Sequence, residues 1–301
     1  SYTDDLPEPR GLLHLAVGMS PVAHGRIRQL DLSEVSAAHG VVDICTAADV
    51  VGENNFGAIV ADDPIFAVDE VLYAGQSVFA VAAVTVDAAR KAAKKAKIDC
   101  EELDAILDPL TAVEKSSFVL PSETLQRGDP DAALAGAPHR VARRVFVGGQ
   151  DQFYLEGHIA MAIPQDDDCL LVYSSTQHPD EVQSLVAHAT GRQASDITVI
   201  CRRMGGAFGG KESQAALIAC VAAVASDKTG QPCKLRLDRD DDMIMTGKRH
   251  DFVITVEMGF DDKGRVSGAN FILASRCGRS VDLSASINDR AMFHADNCYY
   301  F

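Results

Sequence analysis

Apolar and polar positions alternate along this chain in a way that predicts short strands punctuated by a few helices. RGLLHLAVGMS (10–20) and SVFAVAAVTV (77–86) are rich in apolar and β-branched residues and bounded by Gly, Ser and Asp, which predicts two strands. The second runs into DAARKAAKKAKIDC, good helix formers behind Asp87 as a cap, before the chain becomes extended at IDCEEL. Strand, helix and strand in roughly 30 residues predict a βαβ-like unit. Further on, VARRVFVGG, HIAMAIP and CLLVYSST read as strands, with the polar turn Asp166, Asp167 and Asp168 between the last two. HPDEVQSLVAHATGR places Pro179 at a first helical position, acids in the first turn and Gly191 as a stop, so Gln177 falls at a strand-to-helix junction. Residues 213–227 are apolar on every side, which predicts a buried helix ended by Gly230 and Pro232. FVITVEMGFDDKGRVSGANFIL reads as a hairpin turning at residues 261–264.

The segment LPSETLQRGDPDAALAGAPHR (120–140) gathers Pro, Gly, Ser and Asp, with one short helix possible after Asp129-Pro130, and reads as a linker. With 301 residues, long for one core, an α+β architecture of two domains is expected: 1–118, a linker over 119–140, and 141–301. SYTDD at the start and NCYYF at the end look cut, so a fragment is expected. The net charge of −15 repels phosphate backbones and anionic bilayers, which argues against nucleic-acid or membrane partners. Arg90, Lys91, Lys94, Lys95 and Lys97 therefore read as a solvated helix face. The eight cysteines are scattered without a C-x-x-C pair, as expected of reduced thiols in the cytoplasm. The apolar run at 215–225 is too short for a bilayer, and no secretory signal opens the chain.

Chemistry concentrates in RRMGGAFGGKE (202–212), where four glycines fall within six residues just before the apolar helix. Bare backbone before a helix start either turns tightly or lets a ligand lie against N–H groups. Gly205 to Lys211 fits the G-x-x-x-x-G-K of a phosphate-binding loop, but Glu212 replaces the hydroxyl that would hold Mg²⁺ and puts a carboxylate against the phosphates. Arg202, Arg203 and Lys211 border the loop, so an anion or oxo-group site outranks purely structural glycines.

GGAFGGKE, together with SSTQ (174–177), GGQDQFYLEG (148–157), LDRDDDMIMTGKRHDF (237–252) and HADNCY (294–299), resembles the molybdenum-binding subunit of the molybdenum hydroxylases, most closely the xanthine dehydrogenases. GLLHLAV, YAGQSVFAVAAVTVDAARKAAKKA and CEEL are similar to that family's α/β hammerhead domain. The resemblance implies a hammerhead domain followed by the first half of a molybdopterin-binding α+β domain. It implies a parent enzyme of purine catabolism that hydroxylates hypoxanthine or xanthine with hydroxide carried on molybdenum. The cofactor would be molybdenum-molybdopterin, held by the pterin's dithiolene and not by protein ligands. Iron–sulfur and FAD groups would sit on a partner subunit or other domains.

Residue by residue, the resemblance implies that Gln177 hydrogen-bonds an oxygen ligand of the metal, that Phe208 and Gly209 lie against the cofactor through their backbone, and that Glu212 binds the purine. Gln177 and Glu212 are thus the expected catalytic residues. An amide can donate to an oxo group without ionising, and a carboxylate can meet purine N–H groups where charge develops. The alternative for Glu212 is an acid balancing the dipole of the following helix. Aldehyde oxidases resemble the motif with an apolar residue there, so an aldehyde-oxidising relative is a second reading. A non-catalytic interaction fragment is a third. Gln152 stands where the family pattern has histidine, and His158 where glutamine is common. The pattern's second cofactor half and its general base lie beyond residue 301, so the fragment is expected to be inactive and free of stoichiometric cofactor. His178, His188 and His250 read as ordinary, and Asp240, Asp241 and Asp242 as the start of a helix or turn after Asp238-Arg239.

Overall fold

The computed structural model describes residues 1–299 and shows an α+β chain in two compact units. The first combines Ser1–Ala105 with Asp151–Gly247; the second combines Ile106–Gln150 with the chain from Lys248 onward.

The first unit is built on a seven-stranded mixed sheet. Its order is Ile197–Ile200, Leu170–Ser174, Ile159–Pro164, Cys233–Arg236, Leu13–Met19, Ser77–Ala83, Val41–Cys45. Strands from both sides of residues 120–140 therefore share one sheet. The join is parallel, with Leu13, His14 and Leu15 opposite Cys233, Lys234 and Leu235. Ser77–Ala83 is buried along its whole length, with Ala80 and Ala82 in one apolar cluster and Phe79 and Val81 in another. A strand covered on both faces has no polar side, which is why its sequence reads as an unbroken apolar run.

The helix Ala215–Thr229 fills the larger cluster, every residue from Ala215 to Ser226 being buried. It packs on Ile159–Pro164 and on the helix Pro179–Thr190. Gly230 and Gly191 end these two helices in the left-handed conformation, at φ 65° and 69°, as a C-terminal glycine allows.

Two local expectations change. The helix after the second strand spans Val86–Ala93 and is capped by Thr85, whose side chain accepts from Ala88 N; Asp87 sits in the first turn and pairs with Lys91. The strand beyond it, Lys97–Glu102, joins a separate three-stranded antiparallel sheet with Gly25–Asp31 and Glu70–Val71. The βαβ unit expected over 77–102 does not form, because Ser77–Ala83 is already flanked by antiparallel partners on both edges.

The second unit holds a three-stranded antiparallel sheet in the order Val266–Arg276, Asp251–Phe260, His139–Val147. The first two form the hairpin expected around 261–264. Asp129 caps the short helix Pro130–Gly136 by accepting from Ala132 N, and residues 121–129 before it are exposed throughout.

Limited proteolysis should cut between residues 121 and 129 well before it cuts inside 205–230. Ile218→Ala, in the buried helix, should lower stability to chemical denaturation by about 2–5 kcal/mol. Ile272→Ala, at a half-exposed strand position, should stay within about 0.5 kcal/mol.

Candidate active site

Four segments of the first unit meet at the glycine loop: 151–158, 174–177, 205–214 and the helix Arg239–Met245. The loop's outer glycines are set by packing. A Cβ on Gly205 would lie 2.5 Å from Glu156 Cβ, and one on Gly210 would lie 2.6 Å from the Tyr154 ring. The inner residues are set by conformation: Gly206, Phe208 and Gly209 have φ of 93°, 55° and 90°. A phenylalanine in the left-handed region is strained, and Phe208 is also 77% exposed. Among the described residues, no acceptor meets the backbone N–H of Gly206, Ala207 or Phe208.

Gln177 closes the loop from the end of the Leu170–Ser174 strand. Its Oε1 accepts from Gly209 N at 3.1 Å and Lys211 N at 3.3 Å, and its own N–H donates to Lys211 O at 2.9 Å. Because backbone amides can only donate, Oε1 must face the loop, and this fixes the amide orientation. Nε2 is left as a donor without a partner among the described residues. Gln177, Phe208 and Gly209 are therefore brought together. Glu212 is beside them: a Cβ on Gly209 would stand 3.6 Å from Glu212 Oε1. Glu212 is not in the helix's first turn, which begins at Ala215 after Gln214 and contains no acid.

Lys211 does not face a ligand. It is fully buried, and Nζ donates to Glu156 O at 2.7 Å, Ser175 Oγ at 2.8 Å and Glu156 Oε2 at 3.3 Å, while lying 4.7 Å from the Tyr154 ring centroid. Burial pushes its pKa down, and the Glu156 carboxylate opposes that shift. Glu156 Oε2 also accepts from Gly205 N at 2.8 Å and Ser175 Oγ at 2.5 Å. Neither Glu156 nor Ser175 stood out in the sequence as a site residue, although both lie inside quoted motifs. An acid set among aromatic and apolar residues, as in FYLEG, was the available signal.

A second buried network braces the 151–158 segment. Tyr154 Oη donates to Asp242 Oδ1 at 2.5 Å, so its oxygen accepts from His158 Nδ1–H at 2.7 Å, and His158 N donates to Asp242 Oδ2 at 2.6 Å. Burial raises the Asp242 pKa, but the His158 and Tyr154 hydrogen bonds outweigh it and hold the carboxyl well below the usual range. Burial and the Asp242 hydrogen bond push the Tyr154 hydroxyl well up. Arg239 Nη2 donates to Tyr154 O and Leu155 O and lies over the Phe153 ring. Asp240, Asp241 and Asp242 do begin a helix, with Asp238 as its cap. Asp242 does more, joining that helix to Tyr154 and His158.

Comparison with known proteins follows the same lines. Residues 1–104 match the aldehyde oxidase and xanthine dehydrogenase a/b hammerhead domain, and residues 113–301 match the molybdopterin cofactor-binding domain. The chain belongs to the molybdopterin-binding family that contains the aldehyde oxidases and xanthine dehydrogenases. Among its curated relatives are xanthine dehydrogenase 2 of Arabidopsis thaliana, 40% identical over 303 residues, and the xanthine dehydrogenase/oxidase of Gallus gallus, 38% identical over 299. Each alignment covers 99% of this chain and 22% of the relative, so the chain spans about a fifth of their length. Among solved structures, the aldehyde oxidoreductase of Desulfovibrio gigas superposes with a TM-score of 0.76 at 26% identity, over 88% of this chain and 31% of that one. The carbon monoxide dehydrogenase of Oligotropha carboxidovorans, at 24% identity and TM-score 0.77, shares the fold over 91% of this chain and 37% of that one. No helix among the described residues is long and apolar enough to cross a membrane.

The residues present fit the molybdenum cofactor. Unpartnered loop N–H groups and the free Gln177 amide are donors without acceptors, as an acceptor-rich oxo and phosphate group requires. No group of three or more His, Cys, Asp or Glu that could hold a metal occurs among the described residues.

Because the folded Asp242 pKa is depressed, the stability it contributes is present above its unfolded value and is lost as pH falls below the ordinary carboxylate range. Asp242→Asn should therefore lower Tm at neutral pH and flatten the acid side of the Tm–pH curve. An unchanged acid limb would show that the network does not carry this linkage.

Proposed function

We propose that this chain supplies one wall of the active site of a molybdenum-dependent xanthine dehydrogenase acting on hypoxanthine and xanthine. In this reading Gln177 Nε2 donates to an oxygen of the cofactor, Phe208 and Gly209 lie against it through their backbone, and Glu212 binds the purine. When bound, the molybdenum cofactor supplies the two-electron oxidation that hydroxylates an electron-poor ring carbon. The supporting observation is the held amide: two loop N–H groups take Gln177 Oε1, so the opposite end of the side chain is left as a donor. Glu212 supports the reading as a carboxylate next to Gly209 that is not spent on capping the helix. A carboxylate there would pair with purine N–H groups and stabilise charge that builds on the ring, whereas an aldehyde presents no such group.

The same reading places iron–sulfur and FAD groups on other domains or a partner subunit, the enzyme in the cytoplasm, and a hammerhead domain over about residues 1–118. It also makes the 301-residue stretch inactive when isolated.

Glu212→Gln in the full-length enzyme should lower kcat/KM for purines by roughly 10²–10³, the scale of losing one preorganised stabilising group, while aldehyde turnover changes far less. If purine and aldehyde turnover fall together with molybdenum content, Glu212 is structural and the purine assignment fails. Gln177→Ala should slow turnover while molybdenum loading is largely kept. Loss of the cofactor would instead make Gln177 a structural residue.

A further inference from the structure

Three separate stretches of chain must agree for the Gln177 amide and the Phe208–Gly209 backbone to face one group, and a single carboxylate touches all three. Glu156 belongs to the 151–158 segment. Its Oε2 takes the N–H of Gly205 at the head of the glycine loop, the hydroxyl of Ser175 two residues before Gln177, and the ammonium of Lys211 at the loop's foot. Lys211 returns the contact by donating to Glu156 O and Ser175 Oγ, and its backbone N–H and C=O both bind Gln177. The loop is thus pinned at Gly205 and Lys211, and Gln177 is tied to the second of these through its Oε1 and backbone N–H. Between the pins, Phe208 keeps its left-handed backbone. Strain of that kind persists only where the surroundings over-determine it.

We propose that Glu156 and Lys211 form a positioning pair that fixes the Gln177 amide and the Phe208–Gly209 backbone toward the cofactor, without either residue touching it. The proposal rests on the reading of Gln177 given above. The pair differs from an ordinary buried ion pair in what it joins. Its hydrogen bonds end on the backbone and side chains that carry the candidate contacts, so slackening it moves those contacts and does not merely loosen the core.

The test uses the full-length holoenzyme. Glu156→Gln keeps the size of the side chain but leaves the Lys211 charge buried without its counter-charge, which is itself destabilising. Glu156→Gln/Lys211→Met removes that charge and should recover folding and molybdenum content. In the double variant, kcat per bound molybdenum should nonetheless fall by about 10–100-fold, the scale of a displacement near 1 Å at reacting groups, with KM for xanthine changed much less. The molybdenum EPR signal of the reduced, substrate-free enzyme should shift as well, a readout that a purely structural role leaves unmoved. Wild-type kcat per molybdenum and an unshifted signal in the double variant would overturn the proposal. Gln177→Ala, measured in parallel, separates the two levels. If it slows turnover and the double variant does not, positioning alone fails. If Gln177→Ala also leaves kcat per molybdenum unchanged, the reading of the site fails and the positioning proposal falls with it.

Discussion

A fully buried ammonium is tolerable only if each of its protons finds an acceptor, and around Lys211 that requirement organises everything near the glycine loop. Three acceptors from Glu156 and Ser175 satisfy it. To supply them, the segment before Ile159–Pro164 must lie across the end of Leu170–Ser174 and beneath the loop. The glycines at 205 and 210 are then obligatory, since any side chain there would meet Glu156 or Tyr154. Taking both charges out of water is expensive, so the pair is a doubtful source of stability, and its return is geometric. The second network works in the same direction: Asp242 draws Tyr154 and His158 together beside the loop.

Conformation and chemistry are linked at one residue. Phe208 occupies a backbone region that suits glycine, on the stretch 206–208 whose N–H groups find no acceptor among the described residues. A loop free to relax would turn those groups toward nearby carbonyls or toward water. Here the pinned ends prevent it, and the unmet donors are kept on one stretch. That is how a site for an acceptor-rich group is made from residues with no charge of their own.

Features determined by nearby residues were legible from the chain. Gly191 and Gly230 end their helices because a helix terminus needs a left-handed residue, and the hairpin at 261–264 follows from alternating strands around a polar turn. The position of Gln177 at a strand end was legible for the same reason. What was not legible depends on partners far along the chain. Lys211 beside a glycine loop reads as an anion binder; its burial is decided by Glu156, 55 positions earlier. The strand Lys97–Glu102 reads as the second arm of a βαβ unit, yet its sheet is chosen by Gly25–Asp31 and by edges already occupied. Thr85 and Asp87 are both good caps, and only the backbone geometry shows that Thr85 takes the role.

The parallel register between Leu13–Leu15 and Cys233–Leu235 has a consequence for biosynthesis. The first strand of the sheet emerges about 220 residues before the partner that completes its second edge. At about 5–20 residues per second on the ribosome, the antiparallel pairing with Ser77–Ala83 would form first and then wait about 8–30 s with an apolar edge open. Contacts of such long range are slow to form and expose unpaired strand to other chains in the interval. The Leu13–Met19 edge is thus open to misassociation until Cys233–Arg236 closes the sheet.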